Sequence, residues 1–271
     1  MIIIRYSEIA LKGKNRGSFE NILMHNIREC LSRNNLDSRV SKIKGRIFTD
    51  APKEALKYLK NVFGIVSLSY AEECVDFGDL KEKISLIVQN KKFESFVVRC
   101  NRLDKNYPKN SVQIEQELGE YVFEKFHKKV DLKNPELTIG IEVSDKIYLF
   151  SDKINGLGGL PLNPENKIAV FVSSKEDAIA ALLMMKRGCI ANIYYADEKP
   201  EIISKFDYGF PAGYIKIKDF QEINENIIAV ADTLDNLKDY SAEKLILRPL
   251  VVYSKNDINK IYKAFENEAN N

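Results

Sequence analysis

The sequence has no tryptophan, only two histidines and only four cysteines among its 271 residues. The cysteines, Cys30, Cys74, Cys100 and Cys189, are scattered without a CxxC pair, and only His25 and His127 could join them, which argues against a structural zinc site. No metal is therefore expected. No apolar run approaches the roughly 18 residues of a membrane span, and Met1 to Arg5 is too short for a secretory core. A cytoplasmic location and no membrane partner are the expectation. Nothing in the composition signals disorder.

What is present is an ordinary balance for a folded chain, 45% hydrophobic and 30% charged, with length enough for two or three small domains. The net charge of +2 is unevenly spread. Residues 1–50 carry ten Lys or Arg against five acids, residues 51–165 carry 17 against 18, and residues 166–271 carry 14 against 16. A polyanionic partner would meet the front of the chain first, and a solvated basic face explains the same bias.

The stretch KIAVFVSSKEDAIAALLMMKRG, residues 167–188, reads as a buried strand, a short polar loop and a helix that Gly188 stops. Strand, tight loop and helix N-terminus make a cradle for phosphate, because unpaired NH groups and the positive end of the macrodipole face the anion. Such cradles normally contain glycine. This one holds Val172, Ser173, Ser174, Lys175, Glu176 and Asp177, so close backbone approach is hindered and two carboxylates stand where a triphosphate would be repelled.

Upstream, Met1 to Arg5 reads as a strand. A basic loop, Lys12, Gly13, Lys14, Asn15 and Arg16, leads into a helix with the stripe Phe19, Ile22, Leu23, Ile27 and Leu31, and Ser18 is its expected cap. Strands at 38–43 and 46–49 and a helix at 53–61 complete a split βαβ pattern, so residues 1–75 are expected to form a ferredoxin-like domain. The pattern restarts with a helix at 80–89, a strand at 93–100, a helix at 111–126 capped at Ser111, and strands at 137–144 and 146–154. Arg99, Arg102, Lys105 and Lys109 fall at a strand end and in the loop after it, and Lys128 and Lys129 follow the helix. These cations suit a groove for nucleic-acid backbone; solvated loops are the alternative. NGLGGLPLNP, residues 155–164, reads as a linker between domains. Beyond 166, strands at 190–195, 214–217, 227–231 and 245–253 and a helix at 256–266 argue for a small, doubly wound parallel sheet. The expected fold class is thus α/β with α+β.

Several strings resemble the tRNA 4-thiouridine synthetase (ThiI) family, which is also tied to thiamine thiazole synthesis. They are YSEIALKGKNR, VDLKNPELTIGIEV, SDKIYLFSDKINGLGGLPL and LLMMKRGC, in the family's order over roughly residues 1–195. The resemblance implies a ferredoxin-like domain at 1–75, a THUMP domain at 76–163 and a truncated, Rossmann-like PP-loop domain at 166–271. It also implies tRNA as partner, with ATP and magnesium adenylating the uridine at position eight before sulfur arrives from a cysteine persulfide. Aligned through MMKRG, the family's SGGxDS falls on residues 172–177, and both glycines, the aspartate and both serines are replaced, Glu176 standing in for the aspartate. No cysteine follows Cys189, which reads as a small buried hydrophobe.

The expected function is therefore tRNA binding through Lys12, Lys14, Arg16, Arg99, Arg102, Lys105 and Lys109, with no catalytic residue of its own, no cofactor, and a separate catalytic or sulfur-donor protein as a possible partner. An active sulfurtransferase with an atypical loop, Asp177 holding magnesium, is the alternative. A relic whose small sheet serves folding or homodimerisation is the third reading.

Overall fold

A computed structural model of the chain describes residues 1–43, 45–240 and 243–270. Its strands and helices are, in chain order, β1 (Ile2–Arg5), α1 (Arg16–Arg33), β2 (Val40–Ile43), β3 (Arg46–Thr49), α2 (Leu56–Leu59), β4 (Ser67–Tyr70), β5 (Glu72–Cys74), α3 (Phe77–Asn90), β6 (Ser95–Arg102), α4 (Ser111–Phe126), β7 (Lys129–Val130), β8 (Leu137–Val143), β9 (Ile147–Phe150), β10 (Ile154–Asn155), β11 (Asn163–Phe171), α5 (Lys175–Lys186), β12 (Cys189–Tyr195), β13 (Gly213–Lys216), β14 (Ile227–Ala229), β15 (Leu245–Leu247) and α6 (Lys255–Asn270). They fall into two compact units that interleave in sequence. The first unit is Met1–Arg5, Ser38–Leu56 and Ser67–Asn155, and the second is Tyr6–Asp37, Lys57–Val66 and Gly156–Asn271.

In the first unit, one sheet has the order β10-β4-β1-β3-β2 and is antiparallel throughout. With the sequence β1-α1-β2-β3-α2-β4, the order β4-β1-β3-β2 is the ferredoxin-like arrangement. The other sheet, β5-β9-β8-β6-β7, is mixed, β6 running parallel to both β8 and β7. Helices α3 and α4 cover one face of it. Their stripes Leu80, Ile84 and Val88, and Ile114, Leu118 and Val122, meet Val98, Ile139, Ile141 and Leu149 in one core. Each such buried aliphatic side chain contributes about 1.5–3 kcal/mol. Asn110, not Ser111, caps α4: its side chain accepts from the Gln113 NH and the Gln113 side chain accepts from the Asn110 NH.

In the second unit, five parallel strands take the order β13-β12-β11-β14-β15. Alternation along β11 divides its side chains between two cores. Ile168 and Val170 pack with α5 and Phe265 of α6, whereas Ala169 joins Tyr194, Ile217, Ile223 and Ile228 under non-helical segments. The crossovers after β12 and β13 carry only 3-10 turns at Glu201–Lys205 and Phe220–Glu222. The sheet is parallel as expected, but helices cover one face alone.

Several boundaries differ from expectation. Ser18 lies inside α1, whose N-cap is Asn15 without a side-chain cap, because the basic loop winds into 3-10 turns at Glu8–Leu11 and Gly13–Asn15 and feeds the helix three residues earlier. The last expected strand ends at Leu247 rather than at residue 253, since residues beyond β15 turn back on themselves through hydrogen bonds such as Tyr253 NH to the Leu250 carbonyl. The expected strand 146–154 is two strands, β9 and β10, in different sheets. The glycine-rich segment is packed rather than loose. Gly64 NH donates to the Gly158 carbonyl, Gly158 NH donates to the Ile65 carbonyl, and a Cβ at Gly159, whose φ is +77°, would lie 2.1 Å from the Lys186 carbonyl oxygen. Among the described residues, no helix is long and apolar enough to cross a membrane.

Candidate functional site

The order of the parallel sheet sets the first place to look. From β11 the chain runs outward through β12 and β13, then crosses back to β14 and β15, so the direction of winding reverses between β11 and β14. Loops at the carboxyl ends of two such strands diverge and leave a crevice. A cavity of about 610 Å³ opens there, lined by Ser173, Asp177, Asp232, Lys238, Tyr240 and Lys255 among others. A neighbouring cavity of about 540 Å³ on the β12 side is lined by Ser174, Lys175, Lys199 and Tyr262.

The loop between β11 and α5 is shared by both cavities, and its own side chains occupy its donors. Asp177 Oδ2 accepts from Ser173 NH at 3.1 Å, Ser173 Oγ at 3.1 Å and Ser174 Oγ at 2.7 Å, while the Asp177 NH donates to Ser174 Oγ at 3.2 Å. Ser174 is thereby the N-cap of α5. A carboxylate at this helix end is stabilised by the macrodipole and stands where a phosphate would. Two unit charges of like sign 4 Å apart repel by about 4 kcal/mol at the effective dielectric of a protein surface. The donor set present does not fit a triphosphate.

Across the crevice, Asp232 is buried and fully engaged. It accepts from the Lys238 NH at 3.2 Å, the Tyr240 hydroxyl at 3.0 Å and Arg248 Nε at 3.1 Å. Burial first, and then the Asp232 carboxylate, push the Tyr240 phenol up to about 12. This cluster is a structural network holding the loop after β14, with Lys238 and Lys255 as its exposed cations.

None of the four thiols is activated. All are free, and burial raises every one, Cys74 and Cys100 to about 11. Sulfur transfer proceeds through thiolates, which these surroundings disfavour. Among the described residues, no cluster of His, Cys, Asp and Glu could hold a metal ion.

The seven cations expected to meet nucleic acid divide between the units. Lys12, Lys14 and Arg16 belong to the second, Arg99, Arg102, Lys105 and Lys109 to the first. Lys14, Arg99 and Lys105 are exposed, although Arg99 Nη2 also donates to the Leu132 carbonyl at 2.8 Å. The others have internal duties. Arg16 Nε donates to Glu20 Oε1 at 2.7 Å and its Nη2 to the Tyr6 hydroxyl at 3.0 Å. Arg102 Nη1 donates to the carbonyls of Lys105 and Tyr107, pinning the loop that follows β6. Lys109 pairs with Glu117 and lies 4.2 Å over the Phe77 ring, and Lys12 lies 5.0 Å over Phe19.

A further charged group was not anticipated from sequence. Glu142, the last residue but one of β8, accepts from Arg5 Nε at 2.5 Å and Arg46 Nε at 3.0 Å. The available signal was a charge inside the apolar run LTIGIEV.

The family model described as the ThiI ferredoxin-like domain matches residues 1–69, and that of the THUMP domain matches residues 74–152. A probable tRNA sulfurtransferase of Caldanaerobacter subterraneus is 35% identical over 206 residues, covering 74% of this chain and 54% of that protein. The chain thus matches about half the length of that relative. One from Methanocaldococcus jannaschii is 31% identical over 332 aligned positions, covering 97% of this chain and 87% of the relative. That alignment is longer than the 271 residues present, so the archaeal protein carries segments without counterpart here. Among solved structures, PH1313 from Pyrococcus horikoshii superposes with a TM-score of 0.83 at 27% identity, covering 98% of this chain and 99% of that one. A 4-thiouridine synthetase, solved as an RNA complex with bound ATP, shares the fold with a TM-score of 0.76 at 21% identity over 97% of this chain and 84% of its own. With 31% identity across most of both sequences and the two family models in order, this chain belongs to the tRNA sulfurtransferase (ThiI) family.

Proposed function

We propose that the protein is a tRNA-binding member of its family that does not adenylate or thiolate tRNA by itself. The observation that carries this reading is the loop at 172–177, where Asp177 already accepts the hydrogen bonds of Ser173 and Ser174 that a nucleotide phosphate would need. Adenylation depends on donors and magnesium balancing charge on a departing pyrophosphate, and a carboxylate at that point opposes it. The raised thiols add to the reading, since persulfide transfer has no activated carrier among the described residues. Binding of tRNA rests on the THUMP match and on exposed Lys14, Arg99 and Lys105, with phosphate contacts that weaken steeply in salt. A separate protein would then supply the catalytic or sulfur-donor step.

The cavity at the winding reversal favours a second reading, an active sulfurtransferase with an atypical loop, because the architecture of a nucleotide site persists and Lys238 and Lys255 line it. Incubating the purified protein with unmodified tRNA, ATP, magnesium and a persulfide donor separates the two. The first reading predicts bound tRNA and no thiouridine; thiouridine in that reaction establishes the second.

A further inference from the structure

The first unit contains a cationic pocket of a different construction. Arg5 on β1 and Arg46 on β3 share one carboxylate, Glu142, so the cluster holds two positive charges against one negative. Glu142 is 2% exposed, and the side chain of Arg5 is 11% exposed. Arg5 Nη1 donates to Ser69 Oγ at 3.0 Å, but its Nη2 is buried without a partner. A buried guanidinium nitrogen left unpaired costs free energy, and a further acceptor reaches it only with a shift of the Arg5 side chain. Burial indeed lowers the pKa of Arg5 against the pull of Glu142.

This surplus charge borders a cavity of about 420 Å³, within the range of small-ligand sites. Its base is built by a glycine. Gly140 faces Phe150 across the β8–β9 ladder, and a Cβ there would lie 2.1 Å from the Phe150 ring, so only glycine lets that ring lie against the strand. The Arg5 guanidinium sits 4.7 Å over the same ring. Arg99 and Lys153 are exposed at the margin. The lining also holds two more carboxylates, Glu115, whose partner is the neutral Cys100 NH at 2.7 Å, and Asp152, which pairs with Lys91 at 3.1 Å, so four cations face three carboxylates.

From this geometry we propose that the pocket bounded by Arg5, Arg46, Arg99, Lys153 and Phe150 binds a phosphate group. Nε and Nη1 of both Arg5 and Arg46 already donate within the protein, so a phosphate meets the charge of the cluster rather than a free guanidinium fork, and the group attached to the phosphate has the Phe150 ring to lie against. The phosphate comes either from a free phosphate ester or from a nucleic-acid backbone. The site stands on its own charge and does not require the tRNA reading.

The test uses inorganic phosphate with the full chain, by calorimetry against chloride at matched ionic strength. Saturable binding is expected. It should weaken at least fivefold in Arg5→Lys, which keeps a cation on Glu142 and removes the unpaired Nη2, and in the marginal Arg99→Ala/Lys153→Ala, while Lys263→Ala on α6 leaves it unchanged. Absence of saturable binding, or equal affinity in all these variants, overturns the proposal. The source is read from tRNA binding in the same buffers. Displacement of tRNA by phosphate beyond the chloride effect assigns the site to nucleic-acid phosphate, and unchanged tRNA binding assigns it to a free ester. Failure of tRNA to bind at all would remove the proposed function and leave the phosphate result standing.

Discussion

The protein has two regions suited to anions, and they are in opposite states. At the start of α5, three donors converge and the chain supplies the anion itself through Asp177. Beside Glu142, two guanidinium groups share one carboxylate and a buried nitrogen goes without a partner. The first resembles a nucleotide cradle in backbone path and is closed to phosphate. The second has no recognisable motif and has charge to spare. Whether a region can bind an anion is decided by what already occupies its donors, and a motif describes only where the donors are.

The largest effect should come from removing the shared carboxylate. Glu142→Ala leaves two guanidinium groups buried without a counter-ion, and a loss of about 3–5 kcal/mol is expected in denaturant unfolding. A loss below about 1 kcal/mol would mean that water reaches the cluster freely and would weaken the contrast. Next come the exposed cations of the two units. Lys14→Ala/Arg99→Ala/Lys105→Ala should weaken tRNA binding about 10- to 30-fold at moderate salt and lower the salt slope by about one for each phosphate that is no longer neutralised. An unchanged slope would mean that these residues do not touch the phosphates.

Asp177→Ser sharpens the comparison from the other side. It restores a serine where the family's pattern has one and removes the internal anion, so pyrophosphate should bind at least tenfold more tightly than to the natural chain in calorimetry. Equal, weak binding by both would show that the missing glycines, and not the carboxylate, close the loop. The smallest effect is spectroscopic. Without tryptophan, tyrosinate absorbance is clean, and Tyr148, Tyr194, Tyr208 and Tyr240 should ionise near pH 12, each held up first by burial. Because these folded-state values lie above the usual phenol value of about 10, their contribution to stability is complete below pH 10 and disappears as pH rises through 12. Tyr240→Phe should reduce the late phase by one phenol.

Much of the fold was legible because periodicity was strong where helices cover sheets. The stripe Ile114, Leu118 and Val122 reports burial directly, and LTIGIEV reads as a strand, although Glu142 within it is buried against its polar type. The strand, loop and helix expected within 167–188 were legible as well, although β11 begins at Asn163, inside the segment read as linker, and the cap at Ser174 was not foreseen. What failed were features set by other parts of the chain. Ser18 was a reasonable cap by residue type, but the 3-10 turns before α1 place Asn15 there. The linker reading of the glycine-rich segment followed composition, whereas Gly158 and Gly159 are needed for close approach to Ile65 and Lys186. At the sites, the replaced motif was readable from residue types, but that Asp177 fills the loop was not. The Arg5, Arg46 and Glu142 group escaped a linear reading because strands far apart in sequence assemble it.

The most direct test of the central claim is titration of the purified protein with ATP and magnesium, with and without unmodified tRNA, beside a tRNA binding curve at two salt concentrations. The account predicts salt-sensitive tRNA binding and no saturable ATP binding in either setting, since the Asp177 carboxylate holds the donors of the α5 loop. ATP bound with micromolar affinity would contradict it and make the loop at 172–177 a working cradle.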